Sequence, residues 1–217
     1  MKRQQKTTGR SGVAVIEFAF SCAILIPLLL GSFVFGFRLI HSLEMEQVVR
    51  DLGHMYIRGV DFRNAGPQAN ARTLASSFDL TANGTSVVVI SKIRIVTQAD
   101  CDANNVTPGM HCTNLGNPVF VEQLMIGNTN LQVNGVNAAK SAFGTPPVQA
   151  NKTVTSANQA NNSAAQAGVT GTNTGFASIL PLNAGEFAYM VEMINATPEL
   201  NIPGLSGAPQ VYARAIF

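Results

Sequence analysis

Residues 18–37 of this chain read FAFSCAILIPLLLGSFVFGF, twenty consecutive residues without a charged side chain. An α-helix rises about 1.5 Å per residue, so a helix of this length matches the roughly 30 Å hydrocarbon core of a bilayer. A buried helix of a soluble protein is the alternative, but a run this long and this uniformly apolar is typical of a membrane span. The stretch therefore predicts a single transmembrane helix.

The charges before this run predict its orientation. Positive residues concentrate on the cytoplasmic side of membrane helices, so we expect a cytoplasmic N-terminus and an ectodomain outside the membrane. A cleaved secretory signal is the alternative, but residues 38–43 (RLIHSL) offer no Ala-x-Ala site after the apolar run. We therefore expect the span to be retained. The basic residues before the first acidic one are Lys2, Arg3, Lys6 and Arg10.

Composition disfavours a typical cytosolic enzyme and a nucleic-acid-binding protein. Charged residues make up 12% of the 217, about half of the share usual in soluble domains. Beyond residue 12 the chain carries 10 basic and 12 acidic residues, so its body has no basic excess for nucleic acid. No nucleophile–base pair, phosphate-binding glycine loop or metal-ligand spacing stands out. We expect no enzymatic activity, no cofactor and no metal; an anchored hydrolase is a distant alternative.

A short motif lies where the basic leader meets the apolar run. Residues 12–18 read GVAVIEF, so a cut after Gly12 would make Glu17 the fifth residue of the mature chain. A basic leader, Gly, four apolar residues, Glu, Phe and a long apolar helix resemble the class III signal of type IV pilin-like proteins. Over residues 9–58 the sequence more closely resembles TadE-like minor pilins, or pseudopilins, of the tight-adherence (Tad/Flp) system.

The resemblance implies a processing site and a set of partners. A membrane prepilin peptidase would cut the bond between Gly12 and Val13, while Glu17 and Phe18 would serve processing and assembly. The partners implied are that peptidase, other major or minor pilins, the Tad assembly machinery and membrane lipid. The implied location is the cytoplasmic (inner) membrane, with incorporation into an extracellular pilus, and the implied roles are pilus assembly, surface adhesion or secretion.

Glu17 has a physical problem that this processing would solve. A carboxylate within a bilayer costs about 2.5–3.5 kcal/mol at the centre and less near an edge. Cleavage would expose the amine of Val13, and that amine, on the same or a neighbouring subunit, is a natural ion-pair partner. Pairing between subunits would set their axial register. The alternative is a glutamate that extends its carboxylate to the lipid headgroups.

The chain divides into a leader (residues 1–12), a transmembrane and stalk helix (13–58) and an ectodomain (59–217). In the stalk, apolar residues recur at three- and four-residue spacing, which predicts one buried stripe. We expect this stripe to pack on the protein's own core; a surface for a partner helix is the alternative. The stripe comprises Met45, Val48, Leu52 and Met55.

The ectodomain pattern predicts an α+β fold. A helix over residues 67–78, with Ala71, Leu74, Ala75 and Phe78 on one side, precedes four strand candidates rich in β-branched and aromatic residues. A helix packed on an antiparallel sheet buries these faces together, and the resemblance implies that the fold is pilin-like. The strand candidates are residues 86–96, 119–126, 186–194 and 211–217.

Residues 127–175 interrupt this pattern. They are dominated by Asn, Thr, Ala, Gly, Gln and Ser, with few bulky side chains to bury. Such a composition is typical of a long surface loop, which we expect between the second and third strands. The insertion is either tolerated decoration or a contact surface for other filament components.

Cys101 and Cys112 lie in a polar stretch that we expect to be a loop. In an exported ectodomain a disulfide between them is the favoured interpretation, and two free thiols are the alternative. Two functions remain open from sequence. The first is a minor pilin processed at Gly12; the second is an uncleaved, signal-anchored extracytoplasmic binding module that recognises a ligand through the insertion.

Overall fold

The computed structural model describes residues 11–104, 107, 109–168, 175–196 and 210–217. The chain divides into two compact units, Met1–His41 and Ser42–Phe217. The basic residues of the predicted leader lie outside the described residues. The helices are α1 (Ser11–Ile57), α2 (Ala65–Leu74), α3 (Gln98–Asn104) and α4 (Ser156–Asn161), with a 3₁₀ turn at Ser163–Ala165. The strands are β1 (Ser86–Ile95), β2 (Pro118–Gly127), β3 (Gln132–Val133), β4 (Val136–Asn137), β5 (Phe187–Ala196) and β6 (Gln210–Ile216).

In the first unit, helix α1 presents apolar side chains to its surroundings on every side. Apart from the half-buried Val34, the exposed fractions of its large apolar residues range from 51% at Ile40 to 72% at Phe35. Among the described residues, Gly12–Ile57 is the one helical segment long and apolar enough to cross a membrane. A long apolar N-terminal helix, as the sequence predicts, is therefore confirmed.

In the second unit, the last part of α1 packs on the core. Met45 and Leu52 are fully buried, Val48 is nearly so, and Met55 packs partly buried against the same cluster. The prediction that this stripe covers the protein's own core is confirmed. In this part of α1 the apolar residues recur at helical spacing and lie along one buried face. The helix therefore changes here from uniformly apolar to amphipathic.

Helix α1 ends in a Schellman motif. The N–H of Gly59 donates to the carbonyl of Tyr56 at 3.0 Å, and the N–H of Val60 donates to the carbonyl of Met55 at 3.1 Å. Gly59 has a φ of +86°, a left-handed conformation that glycine adopts without steric cost. These bonds satisfy two carbonyls that the end of a helix would otherwise leave without partners.

The four predicted strands form one antiparallel sheet in the order β2-β1-β5-β6. The α+β prediction is thereby confirmed. One face of the sheet contributes Val88, Ile90, Leu124, Val191 and Met193 to a core shared with buried side chains of α1 and α2. The faces alternate along each strand because successive side chains of a strand point to opposite sides.

Helix α2 is shorter than predicted. It ends at Leu74, where the sequence pattern predicts helix up to residue 78. Ala71, Ala75 and Phe78 are buried as expected, but Leu74 is 45% exposed. The backbone leaves the helical conformation at Ala75, so the helical period that grouped Leu74 with Ala75 and Phe78 does not hold beyond Leu74.

The interpretation of residues 127–175 as a surface loop is wrong over its described part. This insertion buries Leu131, Phe143 and Val154, and with Phe176 they cover the second face of the sheet. A few apolar side chains, widely spaced among polar ones, suffice to cover that face. From the second unit's α1 segment to the insertion, the fold therefore has three layers: helices, sheet and insertion.

The asparagines of the insertion stabilise turns. Four of them accept a hydrogen bond from the backbone N–H two residues further on, at 2.8–3.2 Å, which is an Asx-turn. The asparagine-rich composition therefore specifies ordered turns in this segment. The four residues are Asn128, Asn137, Asn151 and Asn162.

We predict that Phe143→Ala lowers the free energy of unfolding by about 3–5 kcal/mol, because it empties a buried site beneath the insertion. Phe187→Ala is the matched control, since Phe187 is 42% exposed. It removes a cation–π contact with Lys92, whose Nζ lies 4.1 Å from the centre of the ring, and we expect it to lower the free energy of unfolding by about 1 kcal/mol. Urea denaturation of the full chain in detergent micelles, followed by tyrosine fluorescence, measures both. Equal small losses would show that the insertion does not belong to the core.

Candidate functional site

The four residues of the predicted processing site lie together in the first two turns of α1. Gly12 is the second described residue of the helix, and Val13, Glu17 and Phe18 follow it. Val13 is 57% exposed and Phe18 is 71% exposed. The structure therefore places the predicted residues on one exposed stretch of α1, where none of them is held by core packing among the described residues.

Nothing within the described fold requires a glycine at position 12. A Cβ placed there meets no atom within 4 Å, and its φ is an ordinary one. Glycine inside a helix costs roughly 1 kcal/mol relative to alanine. Packing among the described residues therefore does not explain why position 12 is a glycine. A partner that acts on the chain, and requires a small residue there, can explain it.

Glu17 is exposed, and its carboxylate makes no hydrogen bond or ion pair with any described residue. Its backbone carbonyl accepts a hydrogen bond from the Ser21 hydroxyl at 2.9 Å. The carboxylate is therefore available to a partner outside the described residues.

The structure contains a disulfide between Cys101 and Cys112, whose Cα atoms are 5.2 Å apart. The expectation that Cys101 lies in a polar loop is wrong, because it is fully buried on helix α3. There both cysteines pack with Val96, Val119 and Ala160. The apolar residues around Cys101 come from distant parts of the sequence, so the polar residues next to it in the chain did not predict its burial.

Asp100 fixes the disulfide-bearing helix to the sheet. Its Oδ1 lies 2.8 Å from Nη2 of Arg94, and its Oδ2 accepts hydrogen bonds from the N–H and hydroxyl of Thr97 at 2.8 and 2.7 Å. Partial burial raises the pKa of the Asp100 carboxyl, but the bonds from Thr97 and Arg94 outweigh it and hold that pKa below its usual value. The carboxylate form is therefore the one that holds α3 in place.

A second polar cluster, which the sequence did not reveal, lies beside the end of α1. Nε of Arg63 is 2.8 Å from Oδ1 of Asp61 and 4.0 Å from Oε1 of Glu122. Burial raises the pKa of Glu122 even though the Arg63 guanidinium opposes it, and burial likewise raises the pKa of Tyr56. This polar cluster connects residues 61–63 to strand β2, and its role is therefore structural.

Glu192 is a fully buried carboxylate in the middle of strand β5. Its Oε1 accepts hydrogen bonds from the Tyr212 hydroxyl at 2.6 Å and from the N–H of Ala142 at 3.0 Å. Its Oε2 has no hydrogen-bond partner among the described residues. Burial and the nearby Glu192 carboxylate raise the pKa of Tyr212. Glu192 thus connects the insertion to strands β5 and β6. The sequence offered one sign of this buried carboxylate, a single Glu within the apolar run 187–194.

Within the described part of the chain, no three His, Cys, Asp or Glu side chains lie close enough together to hold a metal ion. Comparison with protein-family models, with curated proteins and with solved structures gave no match. The features on which a function can be built are the apolar helix, the residues 12–18 at its start and the disulfide-bonded α+β unit.

We predict that removing the disulfide with the double variant Cys101→Ala/Cys112→Ala lowers the free energy of unfolding by about 2–3 kcal/mol. The crosslink closes a short loop, and its loss gives the unfolded chain more freedom. Cys22→Ala is the control, since Cys22 is a free cysteine in α1. Urea denaturation compares the three proteins, and indistinguishable midpoints for the double variant and the unaltered chain would contradict the prediction.

Proposed function

We propose that this chain is a TadE-like minor pilin, or pseudopilin, that is processed at Gly12 and anchored in the cytoplasmic membrane by α1. The observation that carries the proposal is the two-part character of α1. Nearly all of its large apolar side chains from Val13 to Leu43 are exposed, whereas Met45 and Leu52 of the same helix are buried in the second unit. A chain that is anchored in a membrane and carries a folded domain needs such a helix. The same chain needs it again once it has become a subunit of a helical assembly.

The residues at the start of α1 support processing. Gly12 has no packing role among the described residues, and a glycine before the scissile bond lets an extended backbone enter a tight protease cleft. Removal of residues 1–12 would take away the four leader charges and expose the Val13 amine. That amine is the partner we propose for the carboxylate of Glu17, within one subunit or between neighbouring subunits.

The second unit supports an extracytoplasmic location. The Cys101–Cys112 disulfide belongs to the class of bonds that persist in oxidising compartments. The basic leader predicts the matching topology, with the N-terminus in the cytoplasm. We therefore propose a single-pass protein whose ectodomain lies outside the cytoplasmic membrane and is carried into a pilus on assembly.

The size of the ectodomain favours a minor component over a major pilin. In this system a short major pilin would be mostly helix, whereas this chain adds an α+β unit with a four-stranded sheet beyond its long helix. We propose that the protein supports pilus assembly, surface adhesion or secretion together with other pilins and the Tad assembly machinery.

We predict that Gly12→Val blocks processing while Gly31→Val does not. A Cβ added at either position meets no described atom within 4 Å, so the two variants differ mainly in their position relative to the scissile bond. Each full-length protein is coexpressed with a prepilin peptidase, and intact mass spectrometry measures its N-terminus. The unaltered chain and Gly31→Val should lose residues 1–12, and Gly12→Val should keep them.

An intact leader on the unaltered chain, with an active peptidase present, would contradict the proposal. It would favour the second function, an uncleaved and signal-anchored binding module outside the membrane. A cleaved Gly12→Val protein would equally show that the small residue at this position does not govern processing.

A further inference from the structure

The two edges of the four-stranded sheet differ. The edge at β2 is covered by the insertion: the N–H of Val154 donates to the carbonyl of Val121 at 2.8 Å, and the N–H of Gln123 donates to the carbonyl of Lys152 at 3.0 Å. The other edge is β6, which pairs with β5 on one side. An uncovered edge offers hydrogen-bonding groups to a further strand.

The register identifies which groups of β6 point outward. Tyr189 and Phe217 exchange both of their N–H···O bonds, at 3.0 and 2.9 Å. In an antiparallel pair such bonded positions recur at every second residue, so the outward N–H and C=O groups belong to the residues between them. Among the described residues these groups have no backbone partner. They belong to Gln210, Tyr212, Arg214 and Ile216.

A groove of about 380 Å³ runs beside this edge. Its walls include Val133 and Val136 of the small β3–β4 hairpin, together with Ile194 and Tyr212 on one face of the main sheet. Glu192 holds the Tyr212 hydroxyl and the N–H of Ala142, both in residues that line the groove. The buried carboxylate therefore preorganises the groove next to the β6 edge.

Charge at this edge favours an acidic occupant. Lys140 is exposed and is the one charged residue among the described residues that line the groove. Arg214 is exposed on β6 itself, and Glu192, its cross-strand neighbour on β5, is fully buried. Pairing with β6 of a second copy would bring a second positive strand to this edge, because Arg214 is the charged residue of β6.

We propose that the β6 edge and its groove form a docking site for an extended segment of a partner protein. The segment adds as a fifth strand, places an apolar side chain in the groove and carries acidic residues on the same face, next to Lys140 and Arg214. Main-chain hydrogen bonds to the edge give affinity, and the groove with its charges gives specificity. This surface is separate from the processing site, and docking does not depend on cleavage at Gly12.

The test uses the full chain in detergent micelles and two nine-residue peptides, TTETVTETT and TTKTVTKTT. Each peptide reads the same in both directions, so each samples parallel and antiparallel addition, and alternate residues share a face. Backbone amide signals are followed by NMR during titration. We expect the glutamate peptide to bind about tenfold more tightly than the lysine peptide and to protect the amides of Tyr212 and Arg214 from hydrogen exchange.

Two variants localise the effect. Arg214→Pro removes an outward N–H and leaves the bonds to β5 in place, and Arg214→Ala removes the same side chain but keeps the N–H. We expect the proline variant to lose binding and the alanine variant to keep most of it. Lys140 is exposed, so Lys140→Glu should leave the fold intact. We expect this variant to lose the preference for the glutamate peptide.

Three outcomes would overturn the proposal. The first is equal binding of the two peptides, or no binding. The second is slow exchange of the Tyr212 and Arg214 amides in the free chain at every concentration, which would mean that the chain covers its own edge. The third is protection that grows with protein concentration, which would assign the edge to a second copy.

Discussion

The structure depends on one constraint: the apolar surface of α1 from Val13 to Leu43 must be removed from water. Burial of one large apolar side chain contributes about 1.5–3 kcal/mol, and this helix exposes many of them on all sides. Among the described residues of the first unit, there is no second element against which they could pack. Under the proposed function, lipid supplies the missing surroundings in the membrane and the apolar helices of other subunits supply them in the pilus.

The second unit differs from the first, because its apolar side chains pack in cores of its own. Its sheet is covered on one face by the amphipathic end of α1 and by α2, and on the other by the insertion. A disulfide and the buried Glu192 secure parts of the chain that have few apolar side chains. The asparagine-rich insertion thus serves folding, and the open β6 edge is the part of this unit that covering elements leave free among the described residues.

The sequence predicted the features that repeat locally. The charge-free run, the stripe of Met45, Val48 and Leu52, and the four strands all follow from composition or period. It did not predict that residues 127–168 cover a sheet face, because turns built by asparagine and a flexible loop have similar compositions. The bond of Tyr212 to Glu192 and the position of β6 at an edge depend on strand order, which no local pattern contains. Gly12 and Glu17 were recognised by their spacing, since packing gives them no role.

The most direct measurement of the central claim uses Cys22, the free cysteine within the apolar run. Membranes that contain the full-length chain are treated with a charged, membrane-impermeant maleimide. The account predicts no labelling of Cys22 until the membrane is dissolved in denaturing detergent, whereas a Glu46→Cys variant in a Cys22→Ala background is labelled in intact membranes. Equal labelling of Cys22 and the cysteine at position 46 in intact membranes would show that α1 does not cross the bilayer.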